Sequence, residues 1–275
     1  EALKAGDTHY HRYMPVTEVA EVDAHPDLRS SIVGTSGYVI VAMDPTQAPF
    51  DGPNGKLIRQ AVQAITDREA INTAAFLGRG AIGNDHPIPP FDPHFNADAR
   101  PPAYDPALAC SLVNQAGYDR IDLQLYTSTN PGAPMMAIAT VMEEKATAGC
   151  IDIEILVQPE ATYWGEVWLV KPFYTSYWAG RTPDAALGIS VHSSSDWADG
   201  KLKGAGQEAA LARVDELIEL ARTQGELADR RVTYGELQEI LIEEVVRIIP
   251  VHQLVINGMA NDVRGLESDP GAWFW

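Results

Sequence analysis

The sequence predicts an α/β fold with a mixed sheet flanked by helices. Three observations support this class. The run 121–157 is patterned as strand, helix and strand, an order that implies parallel pairing with a right-handed crossover. The segments 207–222 and 227–246 place apolar residues at steps of three and four, which is the spacing of one helix face. The segment 32–43 is a long run rich in β-prone residues.

The first part of the chain is predicted to contain short elements on either side of that long strand. Apolar spacing predicts helices at 56–65 and 68–77, with Asp67 as the N-cap of the second helix and Gly78 closing it. The stretch 79–102 carries six prolines and is predicted to be a long loop. The other predictions are a helix end at 1–4, a strand at 8–13, a helix at 16–22 and a loop at 44–54.

The second part alternates between predicted strands and helices. Asp105 is expected to cap a helix that has Pro106 at its first position and closes at 116–117. Pro250 limits a strand at 248–256 to a sheet edge or a strand start. The other predictions are strands at 121–126, 150–157 and 173–178, a turn at 127–132, helices at 133–148 and 161–169, a helix or a loop at 184–195, and an irregular tail at 258–275.

The composition excludes some classes of partner. The chain has 38 acidic and 20 basic residues, for a formal net charge of −18. Such a surface repels phosphate backbones and anionic lipids, so we expect no nucleic-acid or membrane binding. No apolar run approaches the roughly 20 residues of a membrane span. Cys110 and Cys150 either form one disulfide or are two small buried apolar residues, and the sequence leaves both alternatives open.

Several segments, in order, resemble the peptide/nickel-type family, family 5, of bacterial extracytoplasmic solute-binding proteins. Ala48-Pro49-Phe50-Asp51 and the run 58–71 are similar to the family pattern PPF…vRqAl..AiDReai. The other matching segments are 3–7, 77–80, 104–118, 171–184 and 214–250. Together they cover nearly the whole chain but only the carboxyl-terminal half of a family member.

The resemblance implies one lobe of a type II periplasmic-binding-protein fold. According to this resemblance, residues 1–31 are the last part of the first lobe, residues 32–257 form the second, ligand-binding lobe, and residues 258–275 are a tail that returns toward the first lobe. It implies the solute-binding component of an ABC importer, a monomer that delivers a small-molecule or peptide ligand to the ABC permease without a cofactor. The implied location is periplasmic or extracytoplasmic, with a lipid anchor in a Gram-positive source. A ligand-sensing module of a membrane receptor is the alternative.

The aromatic segment 173–178 supplies the first candidate ligand-binding residues. By the resemblance, Trp178 aligns with a tryptophan that lines the cleft of peptide-binding members, and Tyr174 and Tyr177 lie beside it. Those members have an aspartate three residues later, which pairs with the peptide's α-ammonium, whereas this chain has Arg181. A guanidinium repels an ammonium and suits a carboxylate or phosphate. We therefore expect an oligopeptide or an anionic peptide-like or opine-like solute, unless Arg181 pairs internally with Asp184.

Four further residues are candidates for ligand contact. Thr129 and Asn130 follow a predicted strand and precede a helix N-terminus, where backbone N–H groups bind polar or anionic groups; ordinary turn chemistry is the alternative. By the resemblance, Tyr38 lies in the strand that enters the second lobe, where tyrosines face the ligand. His86 lies in the proline-rich loop and either reaches the cleft or only pins the loop.

Metal binding and catalysis are not expected. His9 and His11 would share one side of a strand, but no cysteine or carboxylate pattern of zinc type accompanies them. The run 192–196 holds His192, Ser194 and Asp196, the residue types of a hydrolytic triad, yet a triad is assembled from separate elements around an oxyanion hole. A serine hydrolase is therefore a weaker alternative to a binding protein.

Overall fold

The computed structural model describes residues 1–129 and 134–266. Short 3₁₀ turns at Val16–Glu18 and Thr147–Gly149 adjoin α2 and α6. The helices are α1 Ala2–Ala5, α2 Val19–Ala24, α3 Gly55–Ala64, α4 Arg68–Phe76, α5 Pro106–Gln115, α6 Met135–Ala146, α7 Glu160–Glu166, α8 Pro183–Ser190, α9 Glu208–Thr223 and α10 Leu227–Glu244. The strands are β1 Tyr10–His11, β2 Leu28–Met43, β3 Ala81–Ile82, β4 Ile121–Thr127, β5 Ile151–Val157, β6 Phe173–Trp178 and β7 Arg247–Ala260.

These strands form one mixed sheet, which confirms the predicted fold class. Its order is β1-β7-β2-β6-β4-β5, and β3 also pairs with β7. The predicted strand–helix–strand unit is present, because β4 and β5 run parallel from Ile121 opposite Ile151 to Thr127 opposite Val157. The long strand β2 is antiparallel to both β6 and β7. The stretch 184–195, for which the sequence allows a helix or a loop, is helical as far as Ser190, where α8 ends, and is not helical beyond it.

The prediction that Pro250 marks a sheet edge or a strand start is wrong. β7 extends from Arg247 to Ala260 and has β2 on one side and β1 and β3 on the other. Pro250 is tolerated because the β2–β7 register shifts between Val39 and Val41, beside it. At such an irregularity a residue without an N–H removes no regular ladder bond. The Pro250 carbonyl still accepts a hydrogen bond from the Gly83 N–H at 2.9 Å.

The predicted helix caps are confirmed. Asp67 Oδ1 accepts a hydrogen bond from the Ala70 N–H at 3.0 Å, and Asp105 Oδ1 accepts one from the Leu108 N–H at 2.9 Å. Each cap satisfies an N–H that has no partner within its helix. The starts of α4 and α5 are thus determined by local sequence.

Three groups of buried apolar side chains hold the molecule together. The largest lies between the sheet and α3 to α6, where one face of β4 contributes Ile121, Leu123 and Leu125. A second joins α8, α9 and α10. A third and smaller group packs the amino-terminal segment against the ends of β2 and β7; its buried members are Leu3, Met14, Val19, Val22, Leu28 and Ile256. No helix in the described part of the chain has the length and apolar character to cross a membrane.

The long proline-rich loop is anchored by a buried carboxylate. Asp85 accepts hydrogen bonds from Gln63 Nε2 at 2.8 Å, from Arg68 Nη2 at 2.6 Å and from the Ile249 N–H at 3.0 Å. These partners belong to α3, α4 and β7, so one side chain joins the loop to three elements. A buried charge is tolerated only when it is paired and hydrogen-bonded in this way.

Cys110 and Cys150 form a disulfide, which settles the alternatives left open by the sequence. Their Cα atoms lie 4.9 Å apart, within bridging distance. Cys110 belongs to α5, and Cys150 immediately precedes β5. The bond therefore ties a helix that covers the sheet to the sheet itself.

Removal of this disulfide is expected to lower the free energy of unfolding. The two cysteines are 40 residues apart, and the loop-closure entropy of a loop of that length corresponds to about 4 kcal/mol. Urea unfolding of the Cys110→Ala/Cys150→Ala variant measures the loss. Wild-type protein in dithiothreitol should lose a similar amount, and equal stability of oxidised and reduced protein would contradict the expectation.

Two buried histidines are expected to make the protein less stable in acid. Burial lowers the pKa of His86 and of His252 from 6.5 to about 3. For His86, repulsion from the charges of nearby His252 and Arg247 lowers the pKa as well. Between pH 6.5 and pH 3 the unfolded chain therefore binds protons that the folded chain does not. The free energy of unfolding should fall with decreasing pH by about 1.4 kcal/mol per unit for each histidine.

Urea unfolding at a series of pH values in this window measures that slope. The His252→Phe variant should show a shallower slope than the wild type, because it has one buried histidine fewer. An unchanged slope in His252→Phe would show that other groups cause the acid sensitivity.

Candidate functional site

A groove of about 480 Å³ opens where the pairing of β2 with β7 is interrupted. The register shifts between Gly34 and Tyr38, and residues of both strands beside this shift line the groove. The groove is lined by Tyr13, Met14, Pro15, Val16, Thr35, Gly37, Ala75, Phe76, Pro134, Tyr177, Ala179, Gly180, Gln253, Leu254, Val255 and Ile256. It therefore lies at the junction of the amino-terminal segment, α4, the middle of β2 and β7, and the end of β6.

The irregularity in β2 is fixed by hydrogen bonds. Thr35 Oγ1 donates to the Gln253 carbonyl and accepts from the Gly37 N–H, both at 3.1 Å. Gln253 Nε2 donates in turn to the Tyr38 carbonyl at 3.1 Å. A Cβ atom at Gly37 would lie 3.1 Å from the Trp178 carbonyl oxygen and 3.2 Å from the Gly180 nitrogen. Glycine thus allows the end of β6 to approach this part of β2 closely.

The last two residues of β6 face opposite sides of the sheet. Tyr177 lines the groove, and its ring centroid lies 5.6 Å from that of Trp164. Trp178 lies on the other face, is 7% exposed and donates from Nε1 to Asp199 Oδ2 at 2.7 Å. Only the first of these two predicted residues therefore contributes a side chain to the groove. This alternation follows from the period of a strand.

A buried ion pair lies beneath Trp178. Arg247 Nη1 donates to Asp199 Oδ1 at 2.8 Å, and the Asp199 side chain is completely buried. Burial raises the pKa of Asp199, and the Arg247 charge opposes this effect. The Arg247 guanidinium also lies 5.5 Å from the centroid of the Tyr38 ring. Gly200 permits the close approach, because a Cβ there would be 2.6 Å from Arg247 Cζ.

Arg181 lies just beyond the end of β6, on the same side as Trp178. Its Cζ is 5.3 Å from the centroid of the Trp178 ring system, and its Nη1 donates to the Ala179 carbonyl at 3.0 Å. The expected alternative, an ion pair with Asp184, is not formed: Asp184 Oδ1 accepts from Arg222 Nε at 2.6 Å instead. Within the described part of the chain no carboxylate pairs with Arg181.

Three of the other predicted ligand-binding residues are buried away from the groove. Tyr174 and Tyr38 are 2% and 1% exposed, and the Tyr38 hydroxyl lies 3.2 Å from Ser190 Oγ. His86 is fully buried in the loop that Asp85 anchors. As placed here, none of the three reaches the groove surface. His86 is expected either to reach the cleft or to hold the proline-rich loop in place, and its buried position agrees with the second alternative.

Of the remaining predicted pair, only Thr129 lies within the described residues, just after β4. Thr129 is exposed and follows Thr127, whose Oγ1 lies 2.8 Å from Thr175 Oγ1. Asn130 lies outside the described residues. Thr129 is not among the residues that line the groove.

An aromatic cluster continues from Tyr177 across the surface. The centroids of Trp164 and Trp168 are 5.8 Å apart, and Trp168 stacks on Trp197 at 5.3 Å. Trp168 also lies 6.2 Å from Trp178. Trp164 and Trp197 are 38% and 55% exposed. Trp164, Trp168, Trp178 and Trp197 thus lie next to one another beside the end of β6.

The residue types considered for hydrolysis are partly brought together. His192 Nδ1 lies 2.8 Å from Ser194 Oγ but also accepts from the Ser194 N–H at 3.1 Å, which is a local turn contact. On its other side, Nε2 lies 3.4 Å from Glu219 and 3.7 Å from Asp215. A nitrogen already occupied by a backbone N–H is poorly placed to take a proton from the serine. Within the described residues, no group of three or more His, Cys, Asp or Glu side chains could hold a metal ion.

Sequence reasoning missed the residues that shape the groove. Gly34 and Gly37 inside a strand pattern indicate a bulge and could have located it. Gln253, Phe76 and the segment 13–16 have no such local signal, because they meet only in the folded chain. Asp199 likewise has no local signal in the sequence, because its partners Trp178 and Arg247 are distant along the chain.

The chain is similar to known binding proteins along its whole length. It is 23% identical over 287 residues to the glutathione-binding protein GsiB of Salmonella typhimurium, covering 99% of this chain and 53% of that protein. It thus spans about half the length of the curated relatives it matches.

Two solved structures show the same fold. The dipeptide-binding protein of Pseudoalteromonas sp. SM9913, in complex with Met-Leu, superposes with a TM-score of 0.81 at 19% identity, over 99% of this chain and 54% of that one. The periplasmic binding protein DppA of Helicobacter pylori, in complex with the peptide STSA, gives a TM-score of 0.78 at 17% identity, over 97% of this chain and 51% of that one. The expected α/β lobe of a type II periplasmic-binding-protein fold is confirmed.

The family profile described as bacterial extracellular solute-binding proteins, family 5, middle region, matches residues 1–199 of the 275 in this chain. Because this match covers well over half of the sequence, the chain belongs to the family 5 bacterial extracellular solute-binding proteins.

Proposed function

We propose that this chain supplies the ligand-binding surface of a solute-binding protein that serves an ABC importer. The observation that carries the proposal is the groove at the interrupted β2–β7 pairing, bordered by the end of β6. In open α/β sheets, ligands bind beyond the carboxyl ends of strands. Here β6 ends at the groove, next to Arg181.

The proposed ligand is a small solute with a carboxylate, such as an oligopeptide or an anionic peptide-like or opine-like molecule. Arg181 is a cation just beyond the end of β6, and the described residues offer it no carboxylate partner. Trp178 supports the guanidinium from one side, and the buried Asp199 holds the indole through its N–H. A guanidinium held against an aromatic ring loses little freedom when it binds a carboxylate.

Tyr177 and Arg181 would contact different parts of one ligand. The tyrosine side chain lies in the groove on one face of the sheet, and the arginine lies on the other face, beyond the end of β6. A solute that lies across the end of β6 would reach both residues. Thr129, beyond the end of β4, and Asn130 are further candidate contacts in this proposal, whereas Tyr38, Tyr174 and His86 would act by supporting the strands and the loop.

The proposed mechanism is domain closure without chemistry. In this proposal residues 1–31 would end the first lobe and residues 32–257 would form the second, and the small apolar group would lie where the two meet. A ligand that contacts both lobes stabilises the closed form, which would then dock on the permease as a monomer. The proposed location of this step is periplasmic or extracytoplasmic.

Replacement of Arg181 is expected to weaken the binding of carboxylate ligands selectively. Loss of a charge-assisted hydrogen bond lowers affinity by about tenfold to a hundredfold. Isothermal titration of Arg181→Ala with glutathione, Met-Leu and Met-Leu amide measures this. The amide, which lacks the carboxylate, should bind wild type and variant alike.

Arg120→Ala is the matched control, because Arg120 is an exposed arginine that pairs with Asp152 away from the groove. It should bind all three compounds as the wild type does. If Arg181→Ala retains wild-type affinity for the carboxylate compounds, Arg181 only supports the structure and the proposed ligand class is wrong.

A further inference from the structure

Tyr13 has a backbone conformation that its side chain does not favour. Its φ is 56°, in the left-handed region, where a residue with a bulky side chain costs free energy. Glycine and asparagine adopt this region most readily. A tyrosine at such a position therefore calls for a reason beyond the turn itself.

The surrounding contacts hold the turn firmly in place. The Tyr13 N–H donates to Oδ1 of the completely buried Asn257 at 3.3 Å. The next N–H, that of Met14, donates to the Ile256 carbonyl at 2.7 Å, and the Met14 side chain is 3% exposed. The turn buries Met14 in the small apolar group, and both Met14 and the exposed Tyr13 line the groove.

Packing does not explain the tyrosine ring. The Tyr13 side chain is 56% exposed, so it adds little to the core. The Arg12 guanidinium lies 4.4 Å from its centroid, which restricts the ring without burying it. A smaller residue would satisfy the turn with less strain, so the turn alone does not account for a tyrosine at this position.

The groove has the chemistry of a neutral, apolar subsite. None of the described residues that line it carries a charge. Tyr13, Phe76 and Tyr177 provide aromatic surface, and Met14, Val16, Leu254 and Ile256 are among the aliphatic residues between them. A charged group placed against these side chains would exchange its hydration for contact with apolar surface. Flat apolar groups, in contrast, gain contact with several rings.

We infer that Tyr13 determines ligand specificity by forming one wall of a subsite for an aromatic or other flat apolar group of the solute. This inference rests on the proposed function, in that the groove receives part of the transported solute. The carboxylate of such a solute would lie toward Arg181, and its apolar group would lie against Tyr13.

Indole tests this subsite without a carboxylate, by NMR titration of the protein. Wild type and Tyr13→Phe should bind indole, and Tyr13→Gly should bind it about two- to tenfold more weakly, as expected for loss of one aromatic contact. Glycine removes the backbone strain, so the thermal midpoint of Tyr13→Gly should equal or exceed that of the wild type. Tyr118→Gly removes an exposed tyrosine outside the groove and should bind indole normally.

The opposite results overturn the inference. If wild type does not bind indole, or Tyr13→Gly binds it equally well, Tyr13 forms no such subsite. If Tyr13→Gly loses thermal stability together with affinity, the ring is structural. The role of Arg181 in binding carboxylates is tested with other compounds. If the proposed ligand class fails, indole binding at Tyr13 is unaffected. If indole does not bind, the carboxylate test of Arg181 is equally unaffected.

Discussion

The antiparallel pairing of β2 with β7 is the constraint on which the rest of the structure depends. It runs from Leu28 opposite Ala260 to Ala42 opposite Arg247 and passes through two of the three apolar groups. The period of a strand decides which side chains enter each group, so a register shift reverses the side to which they point. The interruption between Gly34 and Tyr38 is therefore where the two apolar groups separate and where a groove can form.

Two buried carboxylates fix the elements around this pair of strands. Asp85 joins the proline-rich loop to α3, α4 and β7, and Asp199 joins the segment after α8 to β6 and β7. Each is hydrogen-bonded by an arginine and by neutral donors, which is the arrangement that makes buried charge tolerable. Since Asp199 also holds Trp178, and Trp178 contacts Arg181, the rigidity of the core extends to the candidate site.

The site combines two kinds of surface that lie on opposite faces of β6. Tyr177 faces an uncharged groove, and Arg181 rests on the ring of Trp178. The backbone of β6 thus separates an apolar contact from a cationic one by the thickness of a strand. A ligand that carries both kinds of group fits this arrangement better than a uniformly polar one, which sharpens the ligand class expected from Arg181 alone.

The sequence by itself determined most of the helices and strands, the α/β class, and the caps at Asp67 and Asp105, because periodicity, turn chemistry and short motifs are local. Tertiary structure alone decided that Pro250 lies inside the sheet, that Cys110 bonds Cys150, and that Arg222 instead of Arg181 pairs with Asp184. It also decided that Tyr38, Tyr174 and His86 are buried while Tyr13 and Phe76 line the groove. These outcomes depend on which distant segments of the chain come into contact. Strand register and helix packing determine those contacts, and both are fixed only when the whole core has formed.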